Sequence, residues 1–309
     1  MIAVPSRRFR LLAVAAALAG WGLVTVGGVV RATASGLGCP HWPLCTGAAV
    51  PLDTRASAIE YSHRAVVALV IVLVVALAVW AWRGYRSRPD VVWPALTAVV
   101  LVPLQALLGA VAVWLDLPGW VVAFHFVVGM LFLAMLVVAA AASFRRSRTA
   151  ASPGFVRLAR GATGAALALV SVGAAVVATD AGTACGKQWP ACNGGFAAGG
   201  AEAGLQVTHR MLAYTVAGLA LALLVLARRG RGPRLAGTLP FLAVLVQIGF
   251  GIALVLVGGA GRADEILTSL HVGGAAAVWG ALVALSVLTG PAFARDAGVS
   301  PVPLPVRAR

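Results

Sequence analysis

Five histidines occur in this 309-residue chain, and four of them form two matched pairs. His63 lies 146 positions before His209, and His125 lies 146 positions before His271. Each stands at the start of an apolar run long enough to cross a bilayer, where an ionisable group is costly and usually faces a bundle interior or cavity. One such histidine alone would read as a hydrogen-bonding residue at the headgroup boundary. Two pairs at one spacing and one depth read differently, because two imidazoles on separate helices can face each other across a planar macrocycle, as in axial ligation of haem iron. A bare zinc or copper ion would want a third histidine, a thiolate or several carboxylates close by. Haem iron between His63 and His125, and between His209 and His271, is the expected chemistry.

The residues around the pairs add detail. Glu60 precedes His63 by three positions, so both share a face if the helix begins early enough. The matching position in the second half is Gln206. This asymmetry assigns the reaction to the first half, with Glu60 as proton acceptor or electrostatic partner at the haem edge, and an electron-transfer haem to the second. A solvated loop acid is the plainer alternative. Arg64 and Arg210 follow the first histidine of each half and are suited either to haem propionates or to lipid headgroups. Gly129, Gly273 and Gly274 would let a flat ring or a neighbouring helix approach, and Gln105 and Gln247 suit interhelical hydrogen bonds.

These positions must be held by membrane helices. The chain is 61% hydrophobic and 11% charged, with a mean hydropathy of +0.96, far more apolar than a soluble domain. Eight apolar runs are long enough to span: Leu11–Val30, His63–Trp82, Val91–Val113, Trp120–Ser143, Gly161–Ala178, Val207–Ala227, Leu235–Val257 and Leu267–Leu288. The first, behind Arg7, Arg8 and Arg10, resembles a secretory signal but is long enough to span, and the internal repeat needs it. No alternating barrel pattern is present. The net charge of +15 does not indicate nucleic-acid binding, because 18 of the 24 Lys/Arg residues fall in five clusters on one side of this topology. That distribution places both termini in the cytoplasm and the odd-to-even connections outside.

The halves repeat in their loops as well as in their histidines. Val29–Cys39 lies over Ala175–Cys185, with Thr33, Gly36 and Cys39 opposite Thr179, Gly182 and Cys185. A second cysteine follows a Trp-Pro pair in both loops, at Cys45 and Cys192. Outside the membrane, structural disulfides Cys39–Cys45 and Cys185–Cys192 are favoured over redox-active pairs or free thiols. His41 has no histidine opposite it and reads as a loop residue. The expected fold is all-α integral membrane: eight transmembrane helices as two tandem four-helix bundles, 1–148 and 149–309, related by a pseudo-two-fold axis along the membrane normal.

The string Gly27–Cys45 closely resembles the first outer loop of bacterial haem A synthases. Glu60-Tyr61-Ser62-His63-Arg64 is similar to that family's Glu-x-x-His-Arg motif, and Thr208-His209-Arg210 to its second-half counterpart. The resemblance covers roughly residues 11–290. It implies oxidation of the ring-position-8 methyl of haem O to a formyl, giving haem A for cytochrome oxidase. It further implies that His63 and His125 face the substrate haem, that Glu60 is the essential carboxylate, and that His209 and His271 ligate a permanent haem b. The implied partners are the haem O synthase (a farnesyltransferase) and cytochrome oxidase assembly, in a bacterial plasma membrane, with homo-oligomerisation left open. Two alternatives compete: a dihaem b-type protein linking quinol oxidation to an outer acceptor, and a tandem-repeat transporter whose histidines relay protons.

Overall fold

The computed structural model describes residues 4–42, 45, 54–145, 151–192, 194–196, 199–259 and 261–290. The boundary at 148/149, the Pro43-Leu44 pair of the first cysteine loop and the basic tail beyond 290 lie outside the described residues. Among the described residues, eight α-helices, all long and apolar enough to cross a membrane, make up the fold, with one 3-10 turn at Ala181–Thr183. They are α1 (Arg7–Ala32), α2 (Arg55–Gly84), α3 (Pro89–Trp114), α4 (Gly119–Phe144), α5 (Pro153–Ala178), α6 (Ala201–Arg228), α7 (Arg234–Val257) and α8 (Gly261–Thr289). No strand occurs among the described residues.

Every expected span lies inside one of these helices, but several helices run well past their apolar stretch at the cysteine end. α2 starts eight residues before His63 because Thr54 caps it: the Ser57 amide donates to Thr54 Oγ1 at 3.1 Å, and the Thr54 amide donates to Ser57 Oγ at 3.0 Å. α6 likewise begins at Ala201, eight residues before His209. The histidines therefore lie inside helices, not at their starts. At 1.5 Å per residue, His63 and His209 sit about 12 Å from the helix N-termini. Apolar periodicity alone misses such extensions, because capping and polar helix-forming residues carry them.

The two halves end their first helices in the same way. Thr33 and Thr179 follow α1 and α5, with hydroxyls donating back to the Val29 carbonyl at 2.7 Å and the Ala175 carbonyl at 2.9 Å. The next residues, Ala34 and Asp180, both take left-handed conformations, at φ 50° and 52°. The same helices also begin alike. Ser6 accepts from the Phe9 amide at 3.2 Å, and Ser152 accepts from the Phe155 amide at 3.3 Å. Phe9 and Phe155 are both fully buried. The correspondence thus extends to the termini-bearing end of the helices, beyond the loop strings that reveal it in sequence.

In the first half α1 and α3 each pack against both α2 and α4; in the second, α5 and α7 each pack against α6 and α8. Contacts of α1 with α8, of α4 with α8 and of α4 with α5 join the halves. α4 serves both cores: Phe132 and Leu136 face the first, and Met130 and Leu133 face the second. Two indoles bind across the joint, Trp21 Nε1 donating to the Gly273 carbonyl at 2.9 Å and Trp279 Nε1 to the Met130 carbonyl at 2.8 Å. At the cysteine end, Arg55 and Glu265 form a two-pronged ion pair between α2 and α8, at 3.1 and 2.6 Å.

Gly119 opens α4 where that helix meets the end of α5, and a Cβ there would collide with the Ala178 carbonyl oxygen. Gly119→Ala should therefore force the backbone apart and lower the melting temperature in detergent, at a cost of about 1–3 kcal/mol. A Cβ at Gly164 on α5 meets nothing within 4 Å. Gly164→Ala should be neutral or stabilising by about 0.5–1 kcal/mol. Equal melting temperatures for the two variants would contradict this account of the joint.

Candidate functional site

The four histidines project from α2, α4, α6 and α8, and each imidazole is seated against a glycine of the preceding helix. A Cβ at Gly27 on α1 would stand 3.5 Å from His63 Cε1, and one at Gly109 on α3 would stand 3.5 Å from His125 Cε1. In the second half the seats are closer: Gly173 on α5 to His209 at 3.0 Å, and Gly251 on α7 to His271 at 3.2 Å. With no side chain at these positions, the odd helix lets the ring lie directly on its backbone.

The rings of His209 and His271 are paired, with centroids 6.4 Å apart and planes at 62°. Two metal–imidazole bonds of about 2 Å would put the ligating nitrogens about 4 Å apart. The observed separation accommodates this once half a ring is added on each side. His63 and His125 are half-buried in the first half. Nδ1 of both is buried without a hydrogen-bond partner. Among the described residues no group of three or more His, Cys, Asp or Glu could hold a metal ion. The donor set thus suits two axial imidazoles per site better than a four-coordinate ion.

Gln105 and Gln247 pack against α4 and α8. Gln247 Nε2 donates to the His271 carbonyl at 2.8 Å and lies 3.1 Å from His271 Nδ1. Oε1 of both Gln105 and Gln247 is buried without a partner. Gly129 and Gly274 make room for these amides: a Cβ at Gly129 would stand 2.8 Å from Gln105 Nε2, and one at Gly274 would strike Gln247 Oε1. Gly273 instead packs against Thr25 of α1, at 2.9 Å from Oγ1 to an added Cβ.

Glu60 is buried on α2 and accepts from Arg64 Nε at 3.0 Å. Arg64 also reaches the first cysteine loop, donating to the carbonyls of His41 at 2.7 Å and Cys39 at 3.1 Å. Arg210 does the same in the second half, donating to Pro190 at 3.3 Å and Ala191 at 2.7 Å. Gln206, opposite Glu60, donates to the Gly182 carbonyl at 2.8 Å. A carboxylate cannot make that bond, so the substitution rewires both the loop and the arginine. Both cysteine loops are closed by disulfides, Cys39–Cys45 and Cys185–Cys192.

The chain matches the family model described as "Cytochrome oxidase assembly protein" (COX15-CtaA) over residues 10–58 and 54–283. It is 33% identical over 249 residues to the heme A synthase of Shouchella clausii (strain KSM-K16), covering 74% of this chain and 81% of that protein. It is 32% identical over 246 residues to the heme A synthase of Alkalihalophilus pseudofirmus (strain ATCC BAA-2126 / JCM 17055 / OF4), covering 76% and 82%. The chain belongs to the haem A synthase family. Within that family, sequence reasoning reached the histidines, Glu60, the arginines and the cysteines, but not the four seating glycines. The signal for them was present. Gly27 and Gly173 share the 146-residue offset, and Gln105 and Gln247 each precede their glycine by four residues.

The closed loops carry a direct test. Thiol labelling of unreduced membranes should miss all four cysteines, and labelling after denaturation and reduction should reach them. Ready labelling of Cys39 and Cys45 before reduction would contradict the bridge over the first half.

Proposed function

We propose that this chain is a haem A synthase, which oxidises the ring-position-8 methyl of haem O to the formyl of haem A. Haem O lies between His63 and His125 in the first half, 1–148, and a resident haem b is held by His209 and His271 in the second, 149–309. The observation that carries the reading is the buried ion pair that brackets His63, with Glu60 one helical turn before it and Arg64 directly after it, against Gln206 at the place matched to Glu60. Converting a methyl to a formyl replaces two hydrogens with one oxygen. With water as the oxygen source it releases four protons and four electrons, so it needs an electron acceptor and a base near the reacting carbon. Glu60 is the carboxylate on the same helix face as the substrate ligand, and Arg64 holds it by Nε while the cysteine loop holds Arg64. A haem b between His209 and His271 supplies one-electron chemistry when bound. The two halves are related by a pseudo-two-fold axis along the membrane normal. Both termini are cytoplasmic, and the cysteine loops lie on the outer face of a bacterial plasma membrane. Haem O comes from the farnesyltransferase that makes it, and haem A passes to cytochrome oxidase assembly.

Haem extraction in acid-acetone from protein co-expressed with haem O synthesis should yield haem A beside haem B. Haem B alone, at about two per chain, would instead favour a dihaem electron carrier. Glu60→Gln should keep its haem yet lose haem A output by roughly 10²-fold or more, and undiminished output would reduce Glu60 to a structural acid. His209→Ala or His271→Ala should remove haem b, and unchanged haem content in both would overturn the assignment of halves.

A further inference from the structure

Arg64 and Arg210 occupy matched positions and both hold a cysteine loop by its carbonyls, but their charges are balanced differently. Arg64 is neutralised by Glu60. Arg210 is only 7% exposed, and among the described residues no carboxylate lies within ion-pair distance of it. Its Nη2 is buried without a hydrogen-bond partner, and so is the hydroxyl of Tyr214, one turn further along the same face of α6. The first half carries Ala68 where the second has Tyr214. A buried, unbalanced guanidinium beside an unpaired phenol is a costly arrangement in a low-dielectric interior, and one buried anion would satisfy both donors.

We propose that Arg210 Nη2 and the Tyr214 hydroxyl form a carboxylate-binding subsite that grips a propionate of the haem held by His209 and His271. This rests on the assignment of the resident haem to the second half. Arg210 directly follows His209, so its side chain leaves α6 beside the histidine and reaches from there to the cysteine loop. The second cysteine loop covers it through the Pro190 and Ala191 carbonyls. A lipid phosphate would have to pass that loop, whereas a carboxylate on the rim of the macrocycle arrives with the ligand. The same bookkeeping separates the halves functionally. The second half lacks an internal counter-ion and retains a ligand that brings one, while in the first half Glu60 already fills that role and the haem is free to exchange.

Tyr214→Phe is the discriminating variant, because it deletes an oxygen that bonds nothing within the protein. Arg210→Gln also releases the Pro190–Ala191 loop and is read only beside it. The measurement is the rate at which purified holo-protein in detergent gives up haem b to apomyoglobin, together with the melting temperatures of the holo- and apo-proteins. Tyr214→Phe should lose haem b about 10-fold faster, with the apo-protein's melting temperature unchanged or raised. Reloading the apo-protein with the dimethyl ester of the haem should abolish the difference from wild type. Wild-type release from Tyr214→Phe would overturn the subsite. Equal acceleration with the free acid and the ester would overturn it too, assigning the donors to another anion such as a lipid phosphate, or to packing. His209→Ala keeps the two levels apart. If it leaves haem b in place, the assignment of halves falls and the subsite with it; if it removes haem b while Tyr214→Phe releases normally, only the subsite falls.

Discussion

Each of the four imidazoles lies on bare backbone, and the packing of each bundle follows from that contact. A histidine on an even-numbered helix needs room for its ring at the interface with the helix before it. Gly27, Gly109, Gly173 and Gly251 provide that room. Close approach of helices through small residues is the ordinary way apolar helices associate where no hydrophobic force separates helix from lipid. Here the same device also directs the rings inward, in two pairs. The seats in the second half are tighter by a few tenths of an ångström, and the two ring centroids of that half stand 6.4 Å apart. On the proposed assignment of halves, a site that holds its ligand permanently gains from fixed rings, whereas one that admits and releases a substrate gains from slack.

Charge is distributed by the same logic. The cysteine end carries few basic residues, and two of them, Arg64 and Arg210, are turned inward to hold the loops that close over the bundles. A single exchange of carboxylate for amide, Glu60 against Gln206, gives these otherwise matched arginines different partners. In a low-dielectric interior that difference cannot be absorbed by solvent. It is therefore the strongest chemical contrast between two halves that share helix ends, caps and disulfides.

Much of this was legible without coordinates. Spans of about 20 apolar residues are imposed by the thickness of the bilayer, so hydropathy finds all eight helices. Repeated loop strings and two histidine pairs at one offset reveal the duplication, because a tandem repeat preserves its register where chemistry or a turn depends on it. The family's Glu-x-x-His-Arg resemblance directs attention to Glu60 and His63 for the same reason. Helix starts were less legible: Thr54 and its capping box carry α2 well beyond its apolar run, and capping leaves no mark on hydropathy.

The sequence by itself determined the membrane class, the eight helices and the matched spacing of the histidines and loop cysteines, since each depends on local composition or on spacing along the chain. Only the tertiary structure decided what those residues touch. It turned Arg64 and Arg210 to the loop carbonyls and put Gly129 and Gly274 against glutamine amides instead of a ring. It also placed glycines from the odd helices behind the histidines and left Arg210 Nη2 and the Tyr214 hydroxyl without partners. The physical reason is that contacts between helices depend on rotation about each helix axis and on the depth of one helix against the next. A near-uniform apolar surface of Ala, Val and Leu encodes neither until the helices are packed.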